Sequence, residues 1–310
     1  METFAPVHPI KRKRLSWYIR HLPGLVGYWP LNEVAGTIAY DKSEPKETSF
    51  SVTSITRTLS VATVTTAAVH GLDSTNMIEI SDANETAYNG TFQITVTGAS
   101  TFTYVVTGTP DTPATGTIVY KKNIRYNGTL AGTVGADGLM GKSLQFNGTS
   151  DNVVFTGMTV PTTAISIGFM FYRIGTPNGN TRVIDWQDSG PEDGFTFTHP
   201  TAAPFTIQFT IRNVGTNVAT INSGVTANQT WYSFIGTYEV NSVKFYMNGV
   251  QQETTDTSAT MTGAAATLTI AKRAVTAANY FSGRLQHVFV TSEVLNQNQI
   301  TKIARISLLA

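Results

Sequence analysis

Alternation with a period of two runs through most of this chain, and it is clearest between Trp231 and Gln251, WYSFIGTYEVNSVKFYMNGVQ. Successive side chains of a strand point to opposite faces, so Tyr232, Phe234, Gly236 and Tyr238 share one face and Trp231, Ser233, Ile235 and Thr237 the other. Val243, Phe245 and Met247 repeat the pattern against Lys244, Tyr246 and Asn248, and Asn248-Gly249 supplies a hairpin turn. The segment predicts an antiparallel meander. One face belongs to a core, and the other meets solvent or a second sheet.

The same pattern organises the rest. Residues 24–43, GLVGYWPLNEVAGTIAYDKS, predict a strand, a loop and an Asp-bearing turn. Between 44 and 125, alternation recurs at Leu59, Val61 and Thr63, at Ile78 and Ile80, at Phe92, Ile94 and Val96, and at Phe102, Tyr104 and Val106. Turns at His70-Gly71, Asn89-Gly90 and Gly98-Ala99-Ser100 separate these runs, and about 80 residues suffice for a small independent β domain. From 126 onward AISIGFMFYRI, TRVIDW, GFTFTH, FTIQFTIRN and ATLTIAKR add strands at the spacing of a sandwich. Near the C-terminus the period becomes helical, with Ile300 and Ile303 on one face and Asn296 or Asn298 as N-cap. Residues 1–23 show no sheet period and read as an extended arm around KRKRLSWYIRH.

Composition narrows the chemistry. The 21 Lys and Arg balance 20 Asp and Glu, and only 13% of the 310 residues are charged, so no global field recruits nucleic acid or an anionic membrane. No apolar run is long enough to span a bilayer as a helix. The absence of Cys excludes disulfides, thiolate metal sites and cysteine nucleophiles. The five histidines are dispersed, with no His-x-x-x-His pair. The Asn-x-Ser/Thr sequons at Asn89, Asn127 and Asn147 are Asn-Gly-Thr and read as turns first; another is at Asn228.

Four motifs then resemble one family. Tyr28, Trp29, Leu31, Asn32, Glu33, Gly36, Asp41 and Ser43 form the first. Asn127-Gly128-Thr129-Leu130, which resembles its continuation, arrives only after the 44–125 segment. Gly138, Gly141, Lys142, Leu144, Phe146, Gly148 and Asp151 form another, and Phe281–Val290 the last. Together with VKFYMNGV these resemble laminin-G-like domains of the concanavalin-A-like lectin and glucanase sandwiches. The fold implied is all-β: an antiparallel jelly-roll sandwich, residues 24–43 and 126–310, interrupted by a small inserted β-barrel or β-sandwich, with an extended N-terminal arm and a short C-terminal helix. The insert, through ATVTTAAVHGL and AYNGTFQITVTGASTFTYVV, resembles small β modules of bacteriophage virion proteins. Many family members bind Ca²⁺, and the matching positions here are Asp41, Asn147, Asp151 and Gln286, two of them amides where the family often has carboxylates.

No carboxylate pair has the spacing that glycoside cleavage needs, and no nucleophile elbow or phosphate loop is present, so the chain is expected not to be an enzyme. The densest acidic group, Asp185, Asp188, Glu192 and Asp193, reads as a solvated loop. Trp186, Tyr172, Tyr232, Tyr246 and Tyr280 are candidates for stacking on sugar rings. In the arm, Lys11, Arg12, Lys13, Arg14 and Arg20 stand beside Trp17, Tyr18 and Ile19, a combination suited to anchoring on an acidic neighbour. The expectation is a structural or decoration protein of a virion, oligomeric in the particle and attached to other virion proteins through the arm. A carbohydrate-binding adhesin of a phage fibre or bacterial surface, contacting cell-surface glycans, is the alternative.

Overall fold

The computed structural model describes residues 9–308 save 44–45, 73, 75–76, 125, 157, 159–161, 178, 188–193, 201–202, 214, 256–260, 262–266, 275 and 277. The chain divides into two compact units, 1–43 with 126–310, and 44–125.

The larger unit holds two antiparallel sheets. In the first, the strands run Val134–Gly138, Gly141–Asn147, Ser282–Thr291, Ala164–Arg173, Trp231–Glu239, Ser242–Met247 and Val250–Thr255, and Leu25–Trp29 also pairs with Ser282–Thr291. In the second, the order is Thr216–Asn222, Gln208–Asn213, Gly194–His199, Thr181–Gln187, Thr267–Ile270, Asn152–Thr156, Gly128–Ala131 and Ile38–Ala39. The neighbours in these orders are mostly distant in sequence, as in a jelly roll.

Period two fixes which side chains meet between the sheets. Ile165, Ile167, Phe169 and Phe171 alternate inward with Phe234, Tyr238, Val243 and Phe245, opposite Val183, Phe195, Phe197, Phe209 and Ile211. The meander is antiparallel as predicted, with Gly236 opposite Phe245 and Tyr238 opposite Val243. Gly236 has to be glycine for space: a Cβ there would lie 2.8 Å from the Phe209 ring and 2.9 Å from that of Phe197.

The other face of the first sheet is apolar too. Met170, Tyr172, Trp231, Ile235, Tyr246 and Phe289 form a second core, covered by two helices, α1 (Pro9–Arg20) and α2 (Gln297–Leu308). The extended arm expected from the sequence is therefore corrected over 9–20. Leu15 and Ile19, four residues apart, share one face of the helix, and both are buried on the sheet together with Leu22, which follows the helix in the turn that ends it. Residues 1–8 lie outside the described set.

In the smaller unit seven strands run Gly90–Gln93, Met77–Ala83, Gly116–Ile124, Lys46–Thr58, Val61–Thr66, Thr101–Val105 and Thr95–Gly98. The two edge strands are consecutive in the chain across Ile94, so the sheet curls back on itself around Ile55, Val64, Ile78, Ile80, Phe102, Tyr104 and Tyr120. One predicted phase is reversed. Ala62 and Val64 point inward, while Leu59 is 83% and Val61 41% exposed, because the hairpin turns at Leu59 in the left-handed region (φ 54°). Among the described residues no helix is long and apolar enough to cross a membrane.

Candidate functional site

The helix pair is built from short-range signals. Pro9 occupies the first turn of α1, where its missing N–H costs nothing, and the chain leaves the helix through Leu22-Pro23-Gly24, with Gly24 at φ 60°. α2 begins with reciprocal capping: Asn296 Oδ1 accepts the Gln299 N–H at 3.0 Å, and Gln299 Oε1 accepts the Asn296 N–H at 2.9 Å. Asn296 is thus the N-cap.

Both helices are tied to the sandwich by polar contacts. Ser16 Oγ lies 2.9 Å from the Tyr28 hydroxyl, which lies 2.6 Å from His287 Nδ1. His287 is 3% exposed in the last strand and carries a positive φ of 51°. At α2, Gln297 Nε2 donates to Gly249 O at 2.9 Å, and a Cβ on Gly249 would come within 3.0 Å of Ala304 Cβ. The Asn248-Gly249 turn, with φ 55° and 80°, thereby serves both as a hairpin turn and as the seat of α2.

Between the helices runs an open groove of about 870 Å³, lined by Arg14, Trp17, Tyr18, Lys302, Arg305 and Ile306 together with Asn298 and Thr301. Trp17 is 55% exposed and stacks on His21 with ring centroids 4.2 Å apart. The Lys302 ammonium sits 4.4 Å from the centre of the Tyr18 ring, and partial burial raises the Tyr18 hydroxyl pKa. The two helices carry seven of the chain's 21 basic residues and none of its 20 acidic ones, which leaves fourteen basic against twenty acidic residues elsewhere. Of the predicted arm residues, Arg14, Trp17 and Tyr18 line the groove, Ile19 is in the core and Arg20 is half-buried. The side chains of Lys11, Arg12 and Lys13 lie outside the described residues.

The residues nominated for Ca²⁺ hold the backbone instead. Asp41 Oδ1 accepts the N–H groups of Tyr28 (3.1 Å) and Ser43 (2.9 Å), and Oδ2 that of Tyr126 (3.0 Å). One buried carboxylate therefore fastens the point where the chain leaves the larger unit and the point where it returns. Asn147 Oδ1 accepts the N–H groups of Thr149, Ser150 and Asp151 within its own turn, and Asp151 Oδ2 accepts that of Asn147. Burial raises the Asp151 carboxyl pKa above its usual value. Gln286 Oε1 takes the Met140 N–H, and its amide donates to Lys142 O. Asn147 and Asp151 share a turn. Asp41 lies beyond the other end of the Gly128–Ala131 strand, on the order of 15 Å away at about 3.3 Å per residue. The four do not converge as a ligand set: most of their oxygens accept from backbone N–H groups, and Asp151 Oδ1 accepts from the Ser150 hydroxyl. Of the acidic group, Asp185 is fully buried, with Oδ2 accepting the Ala274 N–H at 2.9 Å and 3.6 Å from Arg182 Nε; Asp188, Glu192 and Asp193 lie outside the described residues.

A family model for the concanavalin A-like lectin/glucanases superfamily matches residues 147–301, half of the chain. The chain belongs to this superfamily. Solved structures are also similar. Domain 4 of AbnA, an extracellular arabinanase of Geobacillus stearothermophilus, in complex with arabinotriose, is 16% identical over 56% of this chain and 82% of that one, with a TM-score of 0.45. The binding domain of botulinum neurotoxin DC in complex with SialylT is 13% identical over 59% of this chain, with a TM-score of 0.48, and the match spans 47% of that domain. A Trypanosoma rangeli sialidase mutant displaying trans-sialidase activity is 13% identical over 58% of this chain and 30% of that one, with a TM-score of 0.46. None of the curated proteins matches the sequence.

Within this concanavalin A-like sandwich most aromatics proposed for sugar stacking are structural. Trp186 is fully buried against Phe195, and Tyr232 lies in the inter-sheet core with its hydroxyl accepting the Ala227 N–H. Tyr172 and Tyr246 belong to the core beneath the helices. Both faces of their strands are buried, so alternation did not leave one face wet. Tyr280 alone of the five is half-exposed, bridged by its backbone to Arg182, whose guanidinium donates to Thr198 Oγ1. Beside it the outer face of the second sheet is polar: Thr196 and Thr198 hydroxyls are 3.2 Å apart, Thr210 and Thr220 likewise, and Gln208 donates to Asn222. Scattered threonines carry no motif, so sequence reading passed over this face.

Proposed function

We propose that this chain is a non-enzymatic structural or decoration protein of a bacteriophage particle, held through its helix pair and displaying a lectin-like sandwich. The observation that carries the reading is the groove between α1 and α2, where Trp17 and Tyr18 stand among Arg14, Lys302 and Arg305 on two helices without a carboxylate. An exposed Trp beside Arg is the composition of an interface anchor, and a helix without a binding role does not need its largest side chain in water. The commitment of Asp41, Asp151 and Asp185 to backbone donors supports a role without catalysis. The virion assignment draws further support from the resemblance of the insert. The test is co-sedimentation with particles lacking the native protein. Trp17→Ala with Tyr18→Ala should abolish retention, and retention equal to wild type would place attachment elsewhere.

A second reading, glycan binding on the outer face of the second sheet, is favoured by the hydroxyl, amide and guanidinium groups around Tyr280 and Arg182 and by membership of a lectin superfamily. Binding on a glycan array that Tyr280→Ala and Arg182→Ala both remove, with particle retention unchanged, would establish it beside the first.

A further inference from the structure

We infer that the occupant of the groove between α1 and α2 is an acidic amphipathic helix of a partner protein; this rests on the helix pair being the attachment surface and names what it attaches to. The shape comes first. The groove is concave and walled by two helices of twelve residues each, about 18 Å long at 1.5 Å per residue. That form accepts a third helix laid along it, with apolar side chains at i, i+3, i+4 and i+7 entering between the walls. Trp17, Tyr18 and Ile306 supply the apolar contact, and Arg14, Lys302 and Arg305 the charge.

The charge then selects among occupants. A second copy docking by the same face would oppose cations to cations, because neither helix has an acidic residue. Single-stranded nucleic acid would use the cations, but its bases need open aromatic faces. Here Lys302 already covers one face of Tyr18, and His21 stacks on Trp17. A membrane surface would call for apolar side chains projecting from a convex helix face, whereas these line a hollow. Glutamates flanking an apolar stripe satisfy both the rim and the floor, and the remaining acidic surplus of this chain keeps other anionic partners from adhering elsewhere.

The experiment uses the full chain and a synthetic amphipathic peptide of Glu and Leu with Leu at i, i+3, i+4 and i+7. Polyglutamate, vesicles of phosphatidylglycerol and oligo-dT are the competitors. The peptide should bind and shield Trp17, the most exposed tryptophan, from acrylamide quenching. Trp17→Ala, and separately Lys302→Glu with Arg305→Glu, should each weaken binding by about tenfold or more. Both lysine and arginine are exposed and the double variant loses only the Lys302–Tyr18 contact, so it should melt within a few degrees of the wild type, which separates lost binding from lost folding. Polyglutamate binding as tightly as the peptide would reduce the site to a charge patch and overturn the inference, as would tighter binding of the vesicles or oligo-dT, or variants that bind like wild type. If the peptide fails while Trp17→Ala with Tyr18→Ala still releases the chain from particles, the acidic-helix inference falls and the attachment reading stands. If neither responds, both fall.

Discussion

The two outer faces of the sandwich differ in kind. Behind the first sheet, Met170, Tyr172, Trp231, Ile235 and Tyr246 continue as a second core that α1 and α2 close. Behind the second, Thr196 bonds to Thr198, Thr198 to Arg182 and Thr210 to Thr220, and no described helix of the larger unit lies above them. The same alternation thus yields a helix-covered apolar face on one side and a face of largely buried threonine hydroxyls on the other. A strand that is apolar on both faces requires a cover, and here the two ends of the described chain supply it. Covering that sheet also brings the basic segment and its tryptophan to one surface.

The difference can be broken from its stronger side first. Replacing Leu15 and Ile19 together by Ala should cost about 5 kcal/mol in urea unfolding, since both are buried and each truncation leaves a cavity. A loss below about 1 kcal/mol would mean that the face behind the first sheet is not a core. Between the sheets, His199 offers a sharper probe. It is 1% exposed and stacked with Phe171 and Phe205, and burial, reinforced by the Arg173 charge, lowers its pKa from 6.5 to about 4. The unfolded chain binds a proton in that window and the folded chain does not. Stability should therefore be complete above pH 6.5 and fall by on the order of 3 kcal/mol as the pH drops to 4. His199→Phe should flatten this part of the profile; an unchanged slope would move the titration to another group.

On the polar face the effects should be small. Thr210→Val keeps the branched shape and loses one hydroxyl contact to Thr220, so a change under about 1 kcal/mol is expected in the same denaturation assay. The smallest effect should follow excision of residues 44–125 with a short Gly-Ser bridge. Asp41 holds both Ser43 and Tyr126, so the ends to be joined are already close. Cooperative melting of the remaining sandwich is the expected outcome, and an unfolded product would make the insert part of its folding unit.

What could be read from the sequence follows from how local each signal is. The meander at 231–251 was legible in its strands, faces and Asn-Gly turn because alternation and turn chemistry are local signals. The N-cap was narrowed to Asn296 or Asn298 for the same reason, and the capping bonds select Asn296. α1 was not legible. Its tetrabasic run hid Leu15, which pairs with Ile19 at i and i+4, and a single turn of charges outweighed two apolar positions on one helical face. AISIGFMFYRI reads only as a strand of the sandwich; that both of its faces are buried, one of them beneath helices, comes from the structure. Asp41, Asn147, Asp151 and Gln286 stood out as a motif, but a motif does not distinguish a carboxylate that binds metal from one that binds backbone; only the positions of Tyr28, Ser43 and Tyr126 do.

The proposed attachment surface is preformed, with α1 docked in the free chain before any partner arrives. Hydrogen exchange of the unbound full-length protein, resolved over residues 12–22, tests it most directly. Amides of α1 from Leu15 to Arg20 should exchange orders of magnitude more slowly than an unstructured peptide, and Leu15→Ala with Ile19→Ala should release that protection. Exchange of wild-type α1 at unstructured rates would contradict the account and return the segment to an arm that orders only on its partner.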